Sequence, residues 1–181
     1  MSATRKQRAL IELSIVGDRA AFDALYRLWY ARWHQFALRH TDNADIAHDA
    51  LQEAALAMVR NVARLRGPET FVAWSFVIHR RCCADALRRR IRHRKYEVSD
   101  SRDYHQPPAE PSDPRLTDLA EVIDGLDADH QNVLTLFYGY GLTVTELAVV
   151  YEVPVGTIKS RLFQIREQIR SRVSQLQKDD V

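Results

Sequence analysis

The sequence predicts an all-α protein: two small helical domains joined by an acidic, proline-rich linker. Three observations carry this. Apolar residues recur at helical spacing on both sides of residue 100. The stretch YEVSDSRDYHQPPAEPSDP, Tyr96 to Pro114, has four prolines, several Ser and Asp, and no apolar periodicity. Helix punctuation stands where each periodic run stops, at Gly67-Pro68, at Gly125, and at Gly139 or Gly141. The 181 residues suffice for one or two domains with modest cores. The expected boundaries are 1–95, a linker over 96–114, and 115–181.

In the first domain, DRAAFDALYRLWYARWHQFALRH sets Phe22, Leu25, Leu28, Trp29, Trp33 and Phe36 at helical spacing. NADIAHDALQEAALAMVRNVARL follows, with Leu51, Met58, Val62 and Leu65 on one face. A third long helix, ETFVAWSFVIHRRCCADALRRRIRHRK, begins apolar and ends strongly basic. Trp74 shares an apolar stripe with Ile78 and is expected in the core, although Phe71, Trp74 and Phe76 could also stack on unpaired bases. In the second domain LTDLAEVIDGLD and ADHQNVLTLFYGYG are short helices. TVTELAVVYE opens with Thr143 and has Glu146 three residues on, a capping box. VPVGTIKSRLFQIREQI comes last, with Pro154 suited to its N-cap or first turn.

Composition excludes several classes. Charged residues make up 28% and hydrophobic ones 46%, and no apolar run approaches the ~20 residues that span a bilayer. The basic start RKQRALIELSIVGD is interrupted by Glu12 and is not read as a signal peptide. The only cysteines, Cys82 and Cys83, are adjacent, which suits a reducing, cytoplasmic setting better than a disulfide. His79, Cys82 and Cys83 could place metal ligands on one helix turn, but no second Cys/His pair at zinc spacing follows, only His93. No phosphate loop, nucleophile elbow or HExxH is present. No cofactor and no catalytic chemistry are expected.

Net charge is only +2, but it is unevenly spread. Residues 1–95 carry +9, residues 96–114 carry −4 and residues 115–181 carry −3. Eight of the sixteen residues from Arg80 to Lys95 are basic: Arg80, Arg81, Arg88, Arg89, Arg90, Arg92, Arg94 and Lys95. That exceeds what a helix dipole needs and points to nucleic acid. Asp45, Asp49 and Glu53, spaced i, i+4, i+8 with Gln52 beside them, form an acidic stripe. It is either a solvated face or a docking surface for a basic protein helix.

The last helix has an unusual outer face. Ile158, Leu162, Ile165 and Ile169 form an apolar stripe, and at roughly 100° per residue Lys159 and Arg166 lie on one flank and Arg161 on the other. Thr157, Ser160, Phe163, Gln164 and Glu167 point away. The preceding helix is separated from it only by Glu152-Val153-Pro154, the spacing of a helix-turn-helix. In that motif the second helix enters the major groove. Lys159 and Arg161 would then hold phosphates while Ser160, Phe163 and Gln164 face bases, Phe163 against a thymine methyl. The alternative is a surface helix whose phenylalanine packs on the chain.

At these residues the sequence resembles bacterial sigma factors of the extracytoplasmic-function (ECF) group, over nearly its whole length. DALQEAALAMVRN (Asp49–Asn61), TFVAWSFVIHRRCCADALRRR (Thr70–Arg90) and LDADHQNVLTLFYGYGLTVTELAVVYEVPVGTIKSRLFQIREQI (Leu126–Ile169) are similar, in order, to three of the family's helical motifs. The resemblance implies a sigma-2-like domain that binds core RNA polymerase and the −10 element, and a sigma-4-like domain that reads the −35 element and sits on the polymerase β flap. It implies contact with the β′ clamp helices through Asp49, Gln52 and Glu53, with Asp45 continuing the stripe. It implies −10 binding by Arg80, Arg81, Arg88, Arg89 and Arg92, and −35 binding by Thr157, Lys159, Ser160, Arg161, Phe163, Gln164 and Arg166. The linker would thread toward the RNA exit path, and an anti-sigma factor is an expected partner. Three positions depart from the family pattern. Glu152 stands at the usual turn glycine, Gln164 replaces a frequent Arg, and Arg81 aligns with an Asn of the −10-reading helix. The rival readings are a free-standing helix-turn-helix regulator, which has no use for a clamp-binding helix, and a nucleic-acid-processing enzyme with such an accessory domain, which would need a catalytic constellation.

Overall fold

The structure, a computed structural model, describes residues 5–94 and 121–179. The linker at 96–114 lies outside the described residues. Among the described residues, seven α-helices are delimited at both ends, four in the N-terminal domain and three in the C-terminal one, and 121–124 are helical as well. They are α1 (Arg5–Ile15), α2 (Arg19–Thr41), α3 (Ala44–Asn61), α4 (Phe71–Arg94), α5 (Ala128–Leu134), α6 (Val144–Tyr151) and α7 (Val155–Asp179).

Helix α1 occupies the basic-then-apolar start of the chain. Its Ile11 is fully buried, and the Ser14 hydroxyl donates to the Leu10 carbonyl at 2.6 Å. The chain turns at Gly17, whose φ of +95° suits glycine, and Asp18 caps α2 by accepting from the Ala21 amide at 3.0 Å. Leu25, Trp29, Trp33 and Phe36 of α2 are buried. Leu28, expected on the same stripe, is 45% exposed, because it falls roughly 90° around the helix from the centre of those four.

Asn43 caps α3, accepting from the Ile46 amide at 3.0 Å. The helix buries Ile46, Ala47, Ala50, Leu51, Ala54 and Met58. The small alanines allow a close approach to α4. The periodicity runs to Leu65, but α3 ends at Asn61 and a 3₁₀ turn covers Val62–Arg64. Tightening of the last turn is a common way to satisfy carbonyls that lack a partner, and Leu65 donates its amide to the Val62 carbonyl at 3.0 Å. A second 3₁₀ turn, Pro68–Thr70, leads into α4. There Phe71, Phe76, His79 and Cys83 are buried. The Trp33 indole N–H donates to the Ser75 hydroxyl at 3.3 Å. Trp74 is half-buried against this core, 6.1 Å from the Phe71 ring.

In the C-terminal domain Asp127 caps α5. A π-helical turn, Thr135–Gly139, follows directly, closed by the Tyr140 amide on the Thr135 carbonyl at 3.1 Å. The extra residue in this turn breaks the 3.6-residue rhythm, so it could not be read from spacing. Thr143 and Glu146 form the expected capping box, and Pro154 immediately precedes α7. The core is Val133, Leu136, Leu142, Leu147, Val150, Ile158, Leu162 and Ile165.

The two domains pack against each other, α2 on α5 and α4 on α6. The Tyr140 ring lies 5.5 Å from Phe76 and 5.6 Å from Trp29. Arg39 donates to the Thr135 hydroxyl at 3.2 Å, and His40 stands 3.7 Å from Asp129.

Candidate nucleic-acid and polymerase interfaces

Helix α7 is held by the stripe its spacing foretells. Ile158, Leu162 and Ile165 are buried and Ile169 is partly buried. The opposite face is open. Lys159, Ser160, Gln164 and Arg166 are exposed, Thr157 is half-buried, and Phe163 is 64% exposed. Phe163 therefore packs little against the described residues. Within this face the Ser160 hydroxyl donates to the Gly156 carbonyl at 3.1 Å, and Arg166 donates to the Tyr138 hydroxyl at 3.0 Å. Arg161 is half-buried, with its guanidinium 5.7 Å from the centre of the Tyr151 ring.

The turn before α7 explains how α6 and α7 are set. The Val153 amide reaches the Ala148 carbonyl at 3.1 Å and the Glu152 amide reaches Val149 at 3.3 Å, a Schellman-type termination. It requires the left-handed region, and Glu152 has φ +56° and ψ +42°. A residue with a Cβ held there costs on the order of 1 kcal/mol relative to glycine.

The basic end of α4 is arranged differently. Arg81 places Nε at 2.7 Å and Nη2 at 2.6 Å from one carboxylate oxygen of Glu152. Arg80 also lies over the Tyr151 ring, its guanidinium 5.3 Å from the ring centre. The Arg80 Nε and the Tyr151 hydroxyl are buried without a hydrogen-bond partner among the described residues. Burial, above all, pushes the Tyr151 phenol well above its ordinary range. Arg88 pairs with Asp85 and Arg89 with Glu53, each at 2.8 Å, while Arg92 is exposed. His40, near Arg80 and Asp129, has its pKa lowered by burial, with Asp129 opposing and Arg80 adding to the shift.

Helix α3 presents Asp45, Asp49, Gln52 and Glu53 to solvent, with Gln52 bonded to His48 at 2.9 Å. The stripe is thus an exposed ridge that touches the basic cluster at the Glu53–Arg89 pair.

The residues weighed as metal ligands are occupied otherwise. The His79 Nδ1–H donates to the Ser75 carbonyl at 2.8 Å, and the ring stacks on Trp33 at 4.6 Å. Burial lowers the His79 pKa to about 4 and raises those of Cys82 and Cys83 to about 11 and about 12. Among the described residues no group of three or more His, Cys, Asp or Glu could hold a metal.

Tyr151, Glu152 and Tyr138 contact arginines of the two basic faces, and spacing alone does not single them out for that. Tyr151 is the last apolar residue of a short helix, and nothing local says its ring meets two arginines from distant segments.

Comparison with known proteins settles the family. The model of sigma-70 region 2 matches residues 25–93, and that of sigma-70 region 4 matches residues 122–171. The chain belongs to the sigma-70 family. Its relatives place this sigma factor in the ECF group. It is 26% identical to the ECF RNA polymerase sigma-E factor of Haemophilus influenzae, over 97% of this chain and 100% of that one. It is 32% identical to the ECF RNA polymerase sigma factor SigE of Mycolicibacterium smegmatis, over 85% of this chain and 63% of that one. Two solved structures share its fold. The sigma factor RpoE, in complex with the anti-sigma factor NepR from Bartonella quintana, has a TM-score of 0.65 at 21% identity, covering 84% of this chain and 96% of that one. CnrH, in complex with the cytosolic domain of CnrY, has a TM-score of 0.59 at 20% identity, covering 93% and 97%. This chain is a sigma subunit of RNA polymerase that directs initiation at promoters. Among the described residues no helix is long and apolar enough to cross a membrane.

Proposed function

We propose that this sigma factor divides its work among three charged faces. The acidic ridge of α3, Asp45, Asp49, Gln52 and Glu53, docks on the basic clamp helices of the polymerase β′ subunit. The basic end of α4, Arg80, Arg81, Arg88, Arg89 and Arg92, holds the −10 region. The outer face of α7 reads the −35 element: Lys159, Arg161 and Arg166 on phosphates, and Thr157, Ser160, Phe163 and Gln164 toward bases. The C-terminal domain also sits on the β flap. The observation that carries this reading is the exposure of Phe163 beside Lys159 on the second helix of a helix-turn-helix. A solvent-facing phenylalanine between basic residues offers an apolar surface that fits a thymine methyl.

The domain limits, 1–95 and 115–181 around a linker at 96–114, belong to the same proposal. So do a cytoplasmic location and a role exercised by binding alone, without a catalytic step. One structural neighbour is in complex with an anti-sigma factor and the other with the cytosolic domain of a second protein. By analogy this chain is proposed to be regulated by an anti-sigma factor of its own.

Replacing Asp49 and Glu53 together by Lys tests the docking face. Both are exposed on a polar face, so helicity by circular dichroism should stay within error while core binding and run-off transcription are lost. Normal holoenzyme assembly by the double variant would overturn the assignment.

A further inference from the structure

The π-helical turn at Thr135–Gly139 carries a tyrosine that the core does not use. Leu136 is buried and Tyr140 is half-buried, but Tyr138 between them is 59% exposed. Its ring is nonetheless held. The half-buried Phe137 meets it edge to face, with ring centres 4.8 Å apart and planes at 89°. The Tyr138 hydroxyl ends on the flank of α7, where it accepts a hydrogen bond from the Arg166 Nε at 3.0 Å. Turns of this kind are rare and recur at functional sites. Here the turn sets an aromatic arm against the second helix of the helix-turn-helix, 28 residues on.

The contact matters for the donors it leaves on Arg166. Its Nε is engaged, and neither Nη has a partner among the described residues. Glu167, the carboxylate next in sequence, is taken by Arg170 and does not draw the Arg166 guanidinium back. The Nη edge, whose paired N–H groups match two phosphate oxygens, is thus unoccupied. Lys159 lies seven residues earlier on the same flank, roughly 10 Å along the helix. A long side chain that must be ordered on binding loses rotamer freedom, and one already tethered has less to lose.

We propose that Tyr138 is a positioning residue for −35 binding: it holds the Arg166 guanidinium ready for one phosphate of the DNA backbone and acts only through Arg166. The statement rests on the −35 assignment of α7. Phosphates carry no sequence information, so Tyr138 sets affinity and not base preference.

Tyr138→Phe removes the hydroxyl and keeps the ring on Phe137, while Arg166→Ala removes the guanidinium. Both variants and the double variant are assembled into holoenzyme. Binding is followed by anisotropy on a fluorescein-labelled promoter duplex, selected by wild-type holoenzyme from a pool randomised at the −35 element. Tyr138→Phe should weaken binding roughly two- to tenfold, the span expected from ordering one long side chain, and leave the melting temperature of the free chain unchanged. The loss should be the same on duplexes with altered −35 bases. Arg166→Ala should weaken binding further and lower the salt slope by about one. In the Arg166→Ala background Tyr138→Phe should have no added effect. Single methylphosphonate replacements across the −35 backbone give a readout that a loss of packing would not move. One position should weaken wild type, be silent in Arg166→Ala, and weaken Tyr138→Phe less than wild type. Wild-type affinity in Tyr138→Phe beside a weakened Arg166→Ala would overturn the proposal and leave the −35 assignment standing. So would a Tyr138→Phe loss that persists undiminished without Arg166, which would make the phenol a direct DNA contact. A loss accompanied by a lower melting temperature and the wild-type phosphate profile would overturn it too, making Tyr138 a packing residue. An Arg166→Ala holoenzyme with wild-type affinity, salt slope and phosphate profile would overturn the −35 assignment of Arg166 and the proposal with it.

Discussion

The basic end of α4 and the basic outer face of α7 carry the same kind of charge and are proposed to meet the same kind of ligand, yet the free chain treats them differently. On α7, Lys159, Ser160, Phe163 and Gln164 face solvent. On α4, Arg80, Arg81, Arg88 and Arg89 each have a partner already, namely Tyr151, Glu152, Asp85 and Glu53. Charge count alone would have ranked α4 as the stronger DNA face. What a face can offer depends on how many of its charges are free to release counterions on binding.

The contrast can be broken most violently from inside. Phe76 supports α4 from the core, packed on Phe36, Trp29 and Tyr140. Phe76→Ala should cost about 3–5 kcal/mol of stability in urea titrations, a loss felt by α4 before α7. A loss below about 1 kcal/mol would mean that α4 does not rest on this aromatic cluster.

Acid should act on the same side of the molecule. His79 is buried and neutral, with its pKa lowered to about 4. The unfolded chain, titrating at its ordinary value of 6.5, binds the proton first. Stability from this residue is therefore complete above about pH 6.5 and falls away as pH drops toward 4, by about 3 kcal/mol in all. His79→Phe keeps a ring on Trp33 and should flatten that part of the stability–pH curve. An identical slope in the variant would show that other groups carry it.

The α7 side is sharpened by Phe163→Ala. The side chain buries little, so melting should move by no more than the equivalent of about 0.5 kcal/mol. Preference among −35 variants should shift by about 1–3 kcal/mol per affected base pair. A lowered melting point with unchanged preference would make Phe163 a packing residue. The smallest effect is expected for Arg88→Ala. Its pair with Asp85 is exposed and local, so stability should change by less than about 0.5 kcal/mol. The slope of promoter affinity against salt should fall by about one.

Periodicity revealed most of the fold because each long helix has one dry face. The stripe Ile158, Leu162, Ile165 and the set Leu25, Trp29, Trp33, Phe36 lie where their spacing puts them. Local chemistry was equally legible in the Thr143–Glu146 capping box. Helix α1 is not legible from RKQRALIELSIVGD, whose apolar run is short and interrupted by Glu12. The π-helical turn at Thr135–Gly139 was hidden because one inserted residue leaves composition unchanged. The charged residues proposed as sites stand out by clustering in sequence. Their partners do not, because Arg81–Glu152 and Arg89–Glu53 join segments far apart in the chain, and only the tertiary fold brings such charges within reach.

The back of α4 has a chemical consequence of its own. Cys82 and Cys83, the only cysteines in the sequence, sit where burial raises their pKa from 9.0 to about 11 and about 12. Each unit lowers the thiolate population at neutral pH tenfold, so the more accessible Cys82 presents about 100-fold less nucleophile than an unperturbed thiol. Peroxide and alkylating agents should therefore attack these two thiols far more slowly than an unperturbed cysteine, which makes them poor oxidative sensors.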